Sequence, residues 1–167
     1  GLSGSNNSFV RINGLFGSGK IVTPFSNNET LIVGDNNATS TFDGTITQTS
    51  GSISLTKVGT GTLTLNGTSS TWTSATTIQN GVLTAVTLNN IAAPNATSSL
   101  GRPVTVALGT IGLGATTTTG TLKVVGTGET TDRVINLAGT SGGATLDQSG
   151  TGLLKFTSNN TGTNTFT

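Results

Sequence analysis

The sequence predicts an all-β fold wound as a β-solenoid, and three observations predict it. Thr (37), Gly (25), Ser (17) and Asn (16) fill 95 of the 167 positions, and Thr, with Val and Ile, favours strands over helices. Apolar and polar residues alternate in short segments separated by Gly/Asn/Ser/Thr clusters, and no window sustains a helical period. The chain also repeats itself: LDQSGTGLLKFT at 146–157 overlays LTKVGTGTLTLN at 55–66 with an offset of 91. Recurring short strands with glycine-bearing corners mark a solenoid. A β-sandwich would share the short strands. Here, however, the Asn-Gly and Asp-Gly pairs at 13–14, 43–44, 66–67 and 80–81 do not consistently bridge paired strands.

Taken in chain order, the alternation predicts strands at 9–12, 20–23, 30–33, 40–47, 52–56, 62–65 and 76–79. Further strands are expected at 82–87, 103–108, 121–125, 133–137, 144–147 and 153–157. The alanines at 92, 93 and 96 allow one short helical turn within 89–100, which Pro94 keeps short. At roughly 20–25 residues per coil the chain makes about seven or eight coils. Leu63, Leu65, Ile78, Leu83, Val124, Leu137, Leu146, Leu154 and Phe156 are expected to point inward. Gly17-Ser18-Gly19 and Gly126-Thr127-Gly128 repeat the glycine corner more loosely.

Leu, Ile, Val and Phe total 42 residues, which is enough for a thin core. With no His and no Cys, a Cys/His zinc site, a Ser-His-Asp triad and a thiol nucleophile are excluded. A net charge of +1 with one Trp and no Tyr gives no basic, aromatic-studded patch, so nucleic acid is not an expected partner. No apolar run reaches 18 residues, so this segment is expected to hold no membrane span. The start at Gly1, with no signal peptide, reads as a mature product or an excised fragment.

Residues 40–86 carry an ordered pattern: Phe42, Gly44 and Ile46, then Leu55, Lys57, Gly59, Gly61, Leu63, Leu65 and Gly67, then Trp72, Thr77, Ile78, Gly81 and Leu83. This stretch resembles the autotransporter-associated β-strand repeat, also called the passenger-associated transport repeat. Residues 126–156 look like sequence found between such repeats, and 1–39 match more weakly. The segments thus read as 1–39, 40–86, 87–125 (inter-repeat coils) and 126–167 (a second repeat-like region) of one β-helix, 1–167. Two positions depart from the pattern: Asp43 stands at a small polar place, and Gln148 replaces the lysine at the offset copy of Lys57. The resemblance implies a right-handed parallel β-helix in a surface-exposed bacterial passenger, with a structural role. It brings no catalytic residues.

Candidate sites are few. Gly14 to Lys20 spells GxxxxGK, but Ile21 takes the Ser/Thr place and a β-like segment follows, so it reads as a glycine corner rather than a phosphate loop. Glu129, Asp132 and Arg133 form the densest charge cluster. It reads first as a solvated loop with a local ion pair, and second as a cation or carboxyl-pair site. Asp35, Asp43 and Asp147 are isolated in sequence and form a site only if the coils gather them. Trp72 reads first as a packing or corner residue and second as a platform for a sugar, alongside Phe16 and Phe25. Frequent TxT triplets, as at 62–64 and 119–121, raise ice binding, but their spacing is irregular. Asn6, Asn28, Asn37, Asn66, Asn95 and Asn159 head N-x-S/T sequons and are the candidate glycosylation acceptors; composition alone supplies about as many.

The expected function is therefore non-catalytic, with no cofactor and no metal: a structural stalk or fibre segment at the bacterial surface or outside the cell. Neither end carries a helical cap, so the expected partners are adjoining coils of a longer chain or copies stacked end to end. A carbohydrate- or surface-binding adhesin module, with surface glycans as partners, is the second reading. A polysaccharide-active β-helix enzyme and an ice-binding solenoid follow it.

Overall fold

The computed structural model describes residues 8–23, 27–93 and 96–158, and in them parallel strands stack as a β-solenoid with three faces. The first coil supplies β1 (Ser8–Ile12) and β2 (Lys20–Thr23). The second supplies β3 (Asn28–Val33), a 3-10 turn at Asp35–Asn37, β4 (Ser40–Phe42) and β5 (Thr45–Gln48). The third holds β6 (Ser52–Lys57) and β7 (Thr62–Leu65), and the fourth β8 (Thr76–Ile78) and β9 (Gly81–Ala85). After an insertion containing the single turn α1 (Val106–Gly109), the fifth coil forms β10 (Ile111–Thr116), β11 (Gly120–Val124) and β12 (Glu129–Thr131). The sixth forms β13 (Ile135–Gly139), β14 (Ala144–Gln148) and β15 (Leu154–Phe156).

Face 1 is the six-stranded sheet β1-β3-β6-β8-β10-β13, and face 2 the five-stranded sheet β4-β7-β9-β11-β14. Face 3 begins with β2 beside β5 and ends with β12 beside β15. Six rungs at about 4.8 Å apart span about 24 Å. The described residues make six coils, where the sequence suggested seven or eight, because residues 86–110 lengthen one coil without adding a rung to face 1 or face 2. Pairing offsets show it: Leu55 pairs with Thr76, but Thr76 pairs with Ile111 and Gly81 with Gly120, before Ile111 pairs with Ile135.

The core is a set of vertical columns set by the two-residue period of each strand. On face 1, Ile12, Val33, Lys57, Ile78, Leu113 and Leu137 stack in register, beside Val10, Leu31, Leu55, Thr76, Ile111 and Ile135. On face 2 the columns are Ser40-Leu63-Leu83-Leu122-Leu146 and Phe42-Leu65-Ala85-Val124-Gln148. Leu63, Leu65, Ile78, Leu83 and Val124 are buried as expected, and Leu154 and Phe156 pack against the core partly buried. Leu137 and Leu146 lie on the inward columns too, yet remain 37% and 36% exposed. They belong to β13 and β14, the last strands of their sheets, and among the described residues no further rung covers them.

Glycines make the corners. A Cβ on Gly44 would lie 1.8 Å from the carbonyl oxygen of Gly19, and one on Gly67 would lie 1.8 Å from that of Gly44. Each turn thus presses on the turn below too closely for a side chain. Gly59 adds a positive φ of 67° to a contact 2.1 Å from the Gly34 carbonyl. The expected strand 40–47 is two strands for the same reason, since the Gly44 corner interrupts it.

Two other expectations are corrected. Residues 103–108 form no strand: Thr105 caps the turn α1, its hydroxyl accepting from the Leu108 N–H at 3.3 Å. The helical turn expected within 89–100 does not form among the described residues there.

Candidate functional site

Chemistry in so uncharged a chain centres on its few ionisable side chains, and the structure gives two of them buried positions. The alternation Ile53, Leu55, Lys57 along β6 turns all three inward. The Lys57 stem stacks between Val33 and Ile78, and its ammonium turns to the corner. There it donates to the carbonyls of Val58 (2.6 Å), Gly59 (2.8 Å) and Asn80 (3.2 Å). Burial pushes its pKa down to about 8. On face 2 of the last coil, Gln148 occupies the copied place and donates its amide to the Gly152 carbonyl, so a neutral group serves the corresponding corner.

The cluster Glu129, Asp132 and Arg133 is not a solvated loop. Arg133 is 1% exposed. Its guanidinium donates to the carbonyls of Leu88 (2.8 Å), Leu100 (3.0 Å), Gly101 (3.4 Å) and Asn89 (3.4 Å), and to the Ser98 hydroxyl (3.4 Å). Burial lowers its pKa to about 10, with Glu129 and Asp132 opposing that shift. The Glu129 carboxylate accepts from the backbone N–H of Leu88 (2.6 Å) and Asn89 (2.9 Å), and Asp132 accepts from that of Ile91 (2.6 Å). Both carboxylates are thus engaged by the insertion's backbone. The reading of this cluster as a cation or carboxyl-pair site is replaced by a clamp on residues 88–101.

The remaining acids do not gather. Asp35 accepts a two-pronged bond from Arg11 (2.5 and 3.1 Å), which raises the arginine's pKa. Asp43 accepts from Asn66 at 2.6 Å, and Asp147 faces Lys123 at 3.5 Å and Ser149 at 2.5 Å. Among the described residues, no three of His, Cys, Asp and Glu stand where they could hold a metal ion. No helix among the described residues is long and apolar enough to cross a membrane. Residues 14–19 lead straight into β2 with no helix behind them, which leaves the GxxxxGK spelling a corner.

Trp72 is fully buried, so its ring offers no face to a sugar. It lies between β7 and β8, where face 3 continues without a strand. The chain there bonds to the coil on either side: Thr71 N–H to the Ile46 carbonyl and Ser70 N–H to the Ser98 carbonyl. Gly101 lies against the indole, and the Trp72 carbonyl accepts from Arg102 N–H at 2.7 Å. The indole N–H has no hydrogen-bond partner among the described residues. Phe16 is 67% exposed, as is Phe9 at 66%; Phe25 lies outside the described residues. Asn28, Asn37 and Asn66 are exposed, and all three side chains join ladders, Asn28 with Ser52, Asn37 with Thr60 N–H and Asn66 with Asp43. Asn6, Asn95 and Asn159 lie outside the described residues. The TxT of β7 does not repeat up face 2: Thr62 and Thr64 are followed by Val82 and Thr84, then Thr121 and Lys123, then Thr145 and Asp147.

Residues 55–85 match the model of the passenger-associated transport repeat. The chain carries this repeat. The match runs from β6 through β9 and takes in the Lys57 corner and Trp72; the upstream residues Phe42, Gly44 and Ile46 fall outside it. The chain is 37% identical over 130 residues to the adhesin BmaC autotransporter of Brucella suis biovar 1 (strain 1330). That alignment covers 78% of this chain and 3% of the relative's length. No solved structure matches the chain.

The alternation contained the signal for both buried cations. Lys57 is on the inward phase of Ile53-Leu55, and Arg133 on that of Thr131 and Ile135, all of them buried. What no sequence pattern disclosed is that Arg133 reaches a segment more than 30 residues upstream.

Proposed function

We propose that this chain is a non-catalytic, surface-displayed rod: a spacer segment of a bacterial autotransporter passenger that holds the adhesive parts of a longer protein away from the cell. The observation that carries this reading is the transport repeat lying within an uninterrupted parallel stack on face 1. Such a stack is quasi-one-dimensional, each coil stabilised by its neighbours, and suits extension rather than enclosure of a substrate. The similarity to a protein named as an adhesin autotransporter supports a place at the cell surface or outside the cell. The partners of this segment are the adjoining coils of its own chain, and its apolar end columns also allow copies to stack end to end as filaments. Removing residues 8–158 from the full passenger tests the reading. A spacer predicts a shorter surface projection in electron micrographs with adhesion chemistry retained. Loss of adhesion at unchanged display would overturn it.

The adhesin-named relative favours a second reading, in which this segment itself contacts surface glycans. Phe9 and Phe16, not Trp72, are the aromatic side chains exposed for such contact. Glycan-array binding that disappears in a Phe9→Ala, Phe16→Ala double variant would establish it.

A further inference from the structure

The insertion at 86–110 is where the described residues depart from regular coiling, and every charged side chain of the segment 129–133 is turned toward it. Arg133 holds both limbs of this insertion at once: Leu88 and Asn89 on the outgoing limb, and Ser98, Leu100 and Gly101 on the returning one. Glu129 and Asp132 take the amides of Leu88, Asn89 and Ile91, while the Thr131 hydroxyl donates to the Asn89 carbonyl at 2.8 Å. The Asn90 side chain accepts from Asp132 N–H at 3.1 Å. Inside the insertion the two limbs are tied through Ser99 and the 86–87 backbone, through Asn89 and the Thr97 carbonyl, and through Ala92 N–H and the Pro103 carbonyl. Leu88 and Leu100 are fully buried, so both limbs enter the core beneath this network.

A regular coil meets its backbone needs from the coils above and below. This insertion is tied to the upstream coil at Thr97, Ser98 and Arg102, but the backbone of Leu88, Asn89, Ile91, Leu100 and Gly101 is met by side chains that lie 32 to 45 residues further along the chain. We propose that the coil carrying Glu129, Asp132 and Arg133 is the latch of the 86–110 insertion, and that the insertion takes its folded form only once that downstream coil has stacked. The insertion is then a conditional element: its order reports whether the fifth coil is in place.

Hydrogen–deuterium exchange on the 167-residue chain tests this, comparing wild type with Arg133→Leu and with Glu129→Ala. Because a hydrogen bond to a charged group is worth enough to shift an opening equilibrium about tenfold or more, Arg133→Leu should speed exchange across 86–103 by at least about that factor. Peptides covering 52–65 should exchange at the wild-type rate. Glu129→Ala removes a partly exposed acceptor without opening a core cavity, so it stays informative if Arg133→Leu does not fold. It should speed exchange at Leu88 and Asn89 by about tenfold. Unchanged protection of 86–103 in the folded variants would overturn the latch. So would an equal rise over 52–65, since it would make Arg133 a general core residue.

Discussion

Lys57→Met isolates the contribution of the buried ammonium. Methionine keeps the length and flexibility of the stem that stacks between Val33 and Ile78, so the column is not opened. What disappears is a charged donor to three carbonyls at 2.6, 2.8 and 3.2 Å. Bonds of this kind contribute about 1.5–3 kcal/mol each. Against that gain stands the desolvation of a buried ammonium, several kcal/mol, which the variant no longer carries. The difference leaves Lys57→Met less stable by about 2 kcal/mol. Urea unfolding read by far-UV circular dichroism measures it as a lower midpoint at unchanged slope. The wild-type advantage should also depend on pH. Burial places the folded pKa at about 8, against an ordinary value of 10.5. Between those two values the unfolded chain binds more protons than the folded one, so this group's contribution to stability rises with pH across that window and is level below it. The gap between wild type and Lys57→Met should therefore widen from pH 8 to pH 10.5. A variant as stable as wild type at pH 7, or a gap that narrows through that window, would refute the reasoning.

Gly67→Ala should lower stability by about 2 kcal/mol or more, because its Cβ would meet the Gly44 carbonyl at 1.8 Å and the backbone has to move; thermal unfolding measures the loss. Leu122→Ala and Leu146→Ala remove the same atoms from one column. The fully buried Leu122 should lose about 3 kcal/mol, and the 36% exposed Leu146 less than half of that, in parallel urea titrations. The chain's one tryptophan is fully buried; its emission should be blue-shifted and weakly quenched by acrylamide until the chain unfolds.

The sequence was most legible where one rule governs. Strands at 20–23 and 62–65 each begin directly after a glycine, Gly19 and Gly61, and both appear with those bounds. Ile111–Thr116 escaped notice because its first four residues are buried on both sides, and Gly112 and Gly114 break any alternation. Glu129–Thr131 escaped because none of its three side chains is apolar; it is a strand by virtue of β15 beside it. The internal copy at offset 91 is real but is not a coil period. It carries β6 and β7, on faces 1 and 2, onto β14 and β15, on faces 2 and 3. The recurring unit is thus a strand-corner-strand, usable at different corners of the solenoid. At the candidate site, composition located the charged cluster at 129–133, but its role depends on which backbone lies above it. That is a consequence of the insertion, not of any local pattern.

The placement of the two buried cations follows from where a parallel stack leaves backbone unpaired. Within the two larger sheets the inner strands find backbone partners in the rungs above and below. At corners and in the insertion the ladder stops, and carbonyls enclosed there need donors from elsewhere. Lys57 supplies three corner carbonyls, and Arg133 supplies four insertion carbonyls and a hydroxyl. Neither donates to a carboxylate in these bonds. Their pKa values fall for the same reason, removal from water, and a catalytic partner is not needed to account for either. Gln148 completes the argument from the opposite side. It occupies the copied lysine position on a terminal strand, where it is exposed, and there an amide is enough. A full charge occurs where water is excluded, and a neutral donor where water can share the work.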